Sequence, residues 1–428
     1  MGSPDYRMPP EALHGPGGPS FGSVRPMRKA LLAAFGSALV ALVATAQAGA
    51  TLKSSLTNAL QTSGVSWSAT SAFVFDLQKS APVYRHNIGV PLRPASNEKL
   101  TVAVTALDRL GADFRIPTRV FRIGSVDAQG VLHGRMILKG YGDPWLMGWR
   151  LARLAQKVRA AGIKKVTGRI LGDESYFDST RVCPGWKASF YKIESPPLSA
   201  LVVNRAHVDN HMWNEPARAA AVLFKRALRT AGVAVPGTTG KGVAGSAAVE
   251  VAESASYELR KIVRRMDHVS DNFFAEMLLK GVGKRVRGSG TTAAGLRVVR
   301  SELRQRGVTM TGLRLADGSG LSLYDRLTTK AIGELLISAA SDPAISVDFV
   351  DSLPVAGKSG TLEDRMERLP ARGHVYAKTG TTDLASALSG YVTTRYVFSV
   401  LQNGNPVPYL SARRSQDRFA QILAGRAT

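Results

Sequence analysis

Between about Ser66 and Asn87 apolar and polar positions alternate, as in Ser71-Ala72-Phe73-Val74-Phe75-Asp76, and turn residues follow near Pro82 and Pro94. A period of two belongs to half-buried strands, and two strands are expected there. From Ser96 to Leu110 the period lengthens. Leu100, Val104 and Leu107 fall on one helical face and Gly111 supplies the stop.

From about Arg119 to Val249 short strand-like runs alternate with Gly-rich turns such as Gly140-Tyr141-Gly142-Asp143-Pro144 and with Pro-rich loops, the texture of an inserted module. Helical periodicity returns near Ser254 and continues through Asn272 to Lys280, Thr292 to Gln305 and Thr328 to Ala340. The chain then reads strand, strand, strand, helix over His374 to Thr381, Ala385 to Thr394, Tyr396 to Gln402 and Tyr409 to Ala424. The expected fold is α+β, an antiparallel sheet flanked by helices, with a β-rich inserted module. The expected division is a leader and signal peptide over 1–48, a discontinuous catalytic domain over 49–118 and 251–428, and the insertion over 119–250.

The N-terminal segment changes the expected compartment. Met27-Arg28-Lys29 is a short basic start, Ala30 to Val43 an apolar run, and Ala46-Gln47-Ala48 a small-x-small cleavage site, so export is expected. Starts at Met1 and at Met27 both remain open. The formal charge of the chain is +24; residues 1–48 carry four basic and two acidic side chains, and their removal leaves +22. An exported basic protein meets anionic wall polymer and lipid headgroups, which makes peripheral contact with these, and not with nucleic acid, the expectation. Cys183 is the sole cysteine, so no internal disulfide framework is available. With no motif around it, it reads as a structural thiol.

Three short motifs carry candidate chemistry: Ser96-Asn97-Glu98-Lys99, Ser270-Asp271-Asn272 and Lys378-Thr379-Gly380. Each has a plain alternative, since Ser96 and Ser270 suit helix N-caps and Lys378 a solvated strand position. Two also have rivals as strings. Ser189 and Lys192 repeat the first spacing, but Ser195-Pro196-Pro197 ends any helix there. Lys358-Ser359-Gly360-Thr361 repeats the third, but Val375-Tyr376-Ala377 gives Lys378 the strand lead-in that a cleft-lining edge requires. On a helix, Ser96 and Lys99 at i and i+3 share a face.

A serine hydroxyl is a weak nucleophile until a base takes its proton, and a lysine serves only if its pKa falls. Partial burial and a second cation, Lys378, are expected to lower that of Lys99. Ser270 is placed to relay a proton to a leaving amine, and Asn272 to hold Lys99 and a substrate amide. The amides of Ser96 and Thr381 would receive an oxyanion. Lys378, Thr379 and Thr381 would grip a terminal carboxylate, with Gly380 between them.

The ordered triplet resembles that of penicillin-binding proteins and class A β-lactamases. Leu138-Lys139-Gly140-Tyr141-Gly142-Asp143-Pro144, Pro197-Leu198-Ser199-Ala200-Leu201, Asp317-Gly318-Ser319-Gly320-Leu321-Ser322 and Ala377-Lys378-Thr379-Gly380-Thr381 narrow the resemblance. The chain is similar to the class C low-molecular-mass penicillin-binding proteins, the penicillin-binding protein 4 type of D-alanyl-D-alanine carboxypeptidase and endopeptidase. The resemblance implies a serine β-lactamase/transpeptidase-like fold and a periplasmic enzyme that acts on peptidoglycan stem peptides. It also implies covalent inhibition by β-lactam antibiotics and no metal or other cofactor.

The residues at the expected substrate end depart from the family's pattern, so that either Arg326 takes over the carboxylate contact or specificity differs. Leu323 stands where an Arg is frequent, with Arg326 nearby, and Asp383 where a Gln can occur; an acid there would favour a substrate amine. Asp173, in Gly172-Asp173-Glu174-Ser175-Tyr176-Phe177, resembles an acidic contact of the inserted module, though a turn carboxylate reads the same way. A β-lactamase and a non-catalytic wall-binding protein are the alternative functions. The first is opposed by the lack of a deacylating Glu loop after Asn272, the second by the intact motifs.

Overall fold

The computed structural model describes residues 51–427, so the leader and signal-peptide reading over 1–48 lies outside the described residues. Helix α1 runs through 51–60. After it come β1 (Thr70–Asp76), β2 (Ala81–His86) and α2 (Lys99–Leu110), which ends where Gly111 takes a φ of 83°. The next stretch holds β3 (Pro117–Val126), β4 (Val131–Gly140), α3 (Gly148–Ala160), β5 (Lys165–Val166) and β6 (Ile170–Asp173). Then follow β7 (His207–Val208), β8 (His211–Met212), α4 (Pro216–Thr230), β9 (Thr239–Lys241) and β10 (Val249–Ala255). Five helices come next: α5 (Leu259–His268), α6 (Asn272–Arg287), α7 (Thr292–Gln305), α8 (Thr329–Ser341) and α9 (Ser346–Asp351). The chain closes with β11 (Val375–Thr382), β12 (Ala385–Val392), β13 (Tyr396–Asn403) and α10 (Tyr409–Ala427).

The first sheet is antiparallel throughout, in the order β11-β12-β13-β1-β2. Its central strands alternate between two cores, as their period of two requires. Ala387, Tyr391, Val397 and Leu401 face the cluster that contains α2, α6 and α8, including Leu100, Met277 and Leu335. Leu388, Val392, Phe398 and Val400 face α1 and α10 through Leu56, Leu60, Phe419 and Leu423. A sheet buried on both faces positions its edge strand firmly. That edge is β11, which carries Lys378.

The second sheet runs β10-β3-β4-β6-β9, antiparallel from β10 to β4 and parallel from β4 to β9. Helices α3 and α4 share its core, where Leu151, Leu154, Val158, Phe224 and Leu228 pack with Val120, Leu138 and Ile170. The strands of this stretch match expectation, and the two helices add to it. Parallel strands need crossover connections, and α3 and α4 provide them. The Leu151, Leu154 and Val158 spacing is helical, but α3 starts at Gly148 with no side-chain cap to mark it.

Phe419 is fully buried between α10 and the first sheet, edge-on to Tyr84. Phe419→Ala is expected to cost about 3–5 kcal/mol of unfolding free energy, measured by urea denaturation.

Candidate active site

Ser96 lies in a single 3₁₀ turn, Ala95–Glu98, that runs directly into α2, so Lys99 is the first residue of the α-helix. The turn is tight. Ala95 has a φ of 46°, and Gly320 approaches so closely that a Cβ there would stand 1.8 Å from the Ala95 carbonyl oxygen. Strain of this kind persists only where surrounding structure over-determines it.

Lys99 is wholly buried, and its Nζ reaches Ser96 Oγ at 2.9 Å, Asn272 Oδ1 at 2.7 Å and the Ser319 carbonyl oxygen at 2.7 Å. Asn272 opens α6, whose preceding residue Asp271 caps it by accepting the Phe274 N–H at 3.2 Å. Ser270, at a φ of 57° in the link from α5, receives the Lys378 Nζ at 2.9 Å. Lys378 is also wholly buried, and its carbonyl accepts from Asn97 Nδ2 at 2.9 Å, which ties the sheet edge to the serine turn. On the same strand Gly380 faces Ser96; a Cβ there would lie 3.1 Å from the Ser96 nitrogen. The three motifs therefore meet in one cleft. Ser96, Ser270 and Asn272 are partly exposed while both ammonium groups are buried.

Burial lowers the Lys99 pKa to about 8, opposed by the charges of Asp317, Glu276, Asp271 and Asp267. Burial likewise lowers that of Lys378 to about 7, assisted by repulsion from Lys99 and opposed by Asp267. Complete desolvation thus exceeds the partial burial expected for Lys99, and the repulsion between the two cations falls on Lys378. As a neutral amine, Lys99 would give its two hydrogens to Asn272 and Ser319, leaving its lone pair on the Ser96 hydroxyl. That is the geometry of a general base.

The rival strings resolve differently. Ser189 is exposed, and Lys192 Nζ donates to the Met212 carbonyl at 3.2 Å. Lys358 is exposed, yet its string borders the site, because Thr379 Oγ1 donates to Thr361 Oγ1 at 2.8 Å. Asp383 flanks the serine turn with Arg93, Ala95 and Leu323, and is exposed. Its carboxylate receives the Lys187 ammonium at 2.8 Å. Arg326 is turned toward the carbonyls of Leu323 and Asp325. Asp173 is fully buried at the end of β6, and its oxygens accept from Lys139 at 2.9 Å and from the Ser175 and Ala244 amides at 2.8 Å each. Those bonds hold it in the second sheet, apart from the serine cluster. Thr381 lies exposed on β11.

The sequence reading missed the Ser319 carbonyl, Asn97, Thr361 and Glu194. Glu194 meets Asn272 Nδ2 through its carbonyl at 3.2 Å and its carboxylate at 3.3 Å. Only the Asp-Gly-Ser-Gly string carried a sequence signal, as a turn former. Among the described residues no group of His, Cys, Asp or Glu is arranged to hold a metal ion.

A serine paired with a buried lysine of lowered pKa at the start of a helix, beside the edge strand of an antiparallel sheet, marks the class of active-site-serine acyl-transfer enzymes. Within that class the chain belongs to the D-Ala-D-Ala carboxypeptidase 3 (S13) family, whose profile matches residues 52–214 and 209–425. It is 32% identical to the D-alanyl-D-alanine carboxypeptidase of Actinomadura sp. (strain R39), over 82% of this chain and 80% of that one. Its fold is similar to the crystal structure of penicillin binding protein 4 from Haemophilus influenzae, with a TM-score of 0.76 at 22% identity over 87% of this chain and 98% of that chain. The same Haemophilus influenzae protein complexed with a β-lactam matches with a TM-score of 0.68, at the same identity and coverage.

If neutral Lys99 is the base, acylation should rise with pH up to about 8 and level off above it, since protonation of the amine removes the lone pair. Below that point each pH unit should cost about tenfold in rate, read as the second-order rate of fluorescent-penicillin labelling.

Proposed function

We propose that the protein is a serine D-alanyl-D-alanine carboxypeptidase, also able to cut crosslinks as an endopeptidase, that acts on peptidoglycan stem peptides through an acyl-enzyme at Ser96. The observation that carries this reading is the Lys99 ammonium, wholly buried and within 2.9 Å of Ser96 Oγ. Lys99 takes the Ser96 proton as Oγ attacks the carbonyl carbon of the penultimate D-alanine. The amides of Ser96 and Thr381 stabilise the oxyanion, where loss of one donor typically costs about a hundredfold to a thousandfold. The C–N bond then breaks and the departing amine is protonated through Ser270, leaving an ester that water hydrolyses. Lys378, Thr379 and Thr381 hold the terminal carboxylate, with Gly380 giving close approach. Asn272 holds the substrate amide once that amide displaces Glu194. β-Lactams acylate the same serine.

Rapid β-lactamase turnover is a weaker reading. Glu276 on α6 is wholly buried with both oxygens bound to backbone amides and to Cys183, so it has no opening to activate water. Export to the periplasm, a catalytic domain over 49–118 and 251–428 with an insertion over 119–250, and peripheral contact with anionic wall polymer complete the proposal. The charge of +22 left after removal of residues 1–48 supports the last point. Asp383, neutralised by Lys187, and Asp173, held by Lys139, are retained only as candidate substrate contacts.

Ser96→Ala is expected to abolish penicillin labelling and D-alanine release while the melting temperature stays within a few degrees of the parent. Persistent labelling would overturn the assignment, and loss in Ser189→Ala instead would move it. Lys378→Ala should lose activity far more than Lys358→Ala, and Lys378→Arg should not restore it, because a planar guanidinium does not fit the position of a compact ammonium. Kinetics of D-alanine release across these variants give the comparison.

A further inference from the structure

The Ser319 carbonyl is a ligand of Lys99, and its direction is set by two buried carboxylates. The peptide that joins Ser319 to Gly320 sends its C=O to Lys99 Nζ at 2.7 Å and its N–H to Asp317 Oδ1 at 2.7 Å. Because a trans peptide points these groups in opposite directions, fixing the N–H aims the C=O. The preceding peptide is anchored by Glu276, whose Oε1 accepts from Ser319 N at 2.8 Å and Gly318 N at 3.0 Å. Its Oε2 accepts from the Cys183 thiol at 3.2 Å, and burial pushes the Cys183 pKa well up, so the thiol remains a donor. Asp317 Oδ2 takes Ser322 N at 2.8 Å, Ser319 Oγ at 3.0 Å and Trp186 Nε1 at 2.7 Å.

Glu276 also stands one turn after Asn272 on α6, so one helix holds Lys99 twice, directly through Asn272 and indirectly through this loop. The loop has no slack. A Cβ at Gly318 would lie 3.1 Å from Val102 and 3.2 Å from Leu279, and Gly320 has a φ of 82°.

We propose that Glu276, acting with Asp317, is a positioning residue for acyl transfer: it fixes the 317–322 loop so that the Ser319 carbonyl takes one Lys99 hydrogen and turns the amine's lone pair onto Ser96. This rests on Lys99 being the base. The carboxylates that act on Lys99 are Asp317, Glu276, Asp271 and Asp267, and the neighbouring cation is Lys378. Burial and repulsion from Asp317 raise the Glu276 pKa to about 7, so its negative charge acts on Lys99 in the upper part of the acid limb of the rate profile. Removing that charge lowers the Lys99 pKa there and moves the limb to lower pH.

The test uses the full chain with a D-alanyl-D-alanine peptide and a fluorescent penicillin. Glu276→Gln keeps the shape but replaces one acceptor by an amide donor. It should lower kcat at least about tenfold, leave KM within about twofold and shift the acid limb to lower pH. Glu276→Asp keeps the charge and shortens the reach, and should lower kcat without moving the limb. A folded Glu276→Gln with unchanged kcat and limb overturns the proposal. If that variant does not fold, wild-type kcat in Glu276→Asp overturns it equally. Labelling that survives in Ser96→Ala refutes the underlying reading instead, so the two failures are distinct.

Discussion

Much of the structure follows from the burial of Lys99 and Lys378, both fully removed from solvent within one cluster. An isolated buried ammonium is costly enough that it either finds acceptors and counter-charge or gives up its proton. Here both happen in part. Acceptors are supplied by Ser96, Asn272 and Ser319 to one lysine and by Ser270 and Thr379 to the other, and the pKa of each is lowered. The acceptors come from the 3₁₀ turn, the start of α6, the 317–322 loop, the α5–α6 link and β11. Satisfying two amines therefore locks five separate segments together, which positions the serine more rigidly than α2 alone would.

Counter-charge is distributed with the same economy. Glu98, Glu276, Asp317, Asp325 and Asp267 are all buried in the same region. Burial, followed by repulsion from Asp317, pushes the Glu98 and Asp325 pKa values well up, and each carries one buried oxygen without a hydrogen-bond partner. Both features suit protonated, neutral carboxyls. Asp317 instead accepts five hydrogen bonds, while burial and repulsion from Asp317 push the Glu276 pKa up to about 7 against the backbone amides and thiol that it receives. Few net charges need remain in the interior.

How much of this was legible in the sequence depends on the range of the interaction. The alternation in Ser71-Ala72-Phe73-Val74 and the Leu100, Val104, Leu107 stripe are local, and β1 and α2 appear where they predict. Ser96 and Lys99 are three residues apart, so their contact follows from helix geometry. Lys378 differs from Lys358 locally in its strand lead-in, Val375-Tyr376-Ala377, and lies on β11 as that predicts. The contacts of Asp383 and Asp173 were not legible, because Lys187 and Lys139 lie 196 and 34 residues away in sequence and no local pattern announces such pairs. Helices α3 and α4 escaped notice for another reason. Short strands and Gly turns on either side dominated the texture, and neither helix begins with a side-chain cap.

The segment 183–195 joins the second sheet's chain stretch to the cleft. The Pro184 carbonyl takes Ser322 Oγ at 2.7 Å, Trp186 bonds Asp317, Lys187 pairs with Asp383 and Glu194 meets Asn272. A single segment thus touches the 317–322 loop, the end of β11 and the start of α6. Trp186 and Cys183 reach the carboxylates that bond the Ser319 loop, whereas Lys187 is partly exposed and Glu194 exposed at the rim. The division separates two tasks. Its buried contacts hold the amine's surroundings, and its exposed ones are pairs of the kind that contribute little at a surface. Of the rim ions, Glu194 lies one residue from the buried amine in this network, because Asn272 meets Glu194 through Nδ2 and Lys99 through Oδ1.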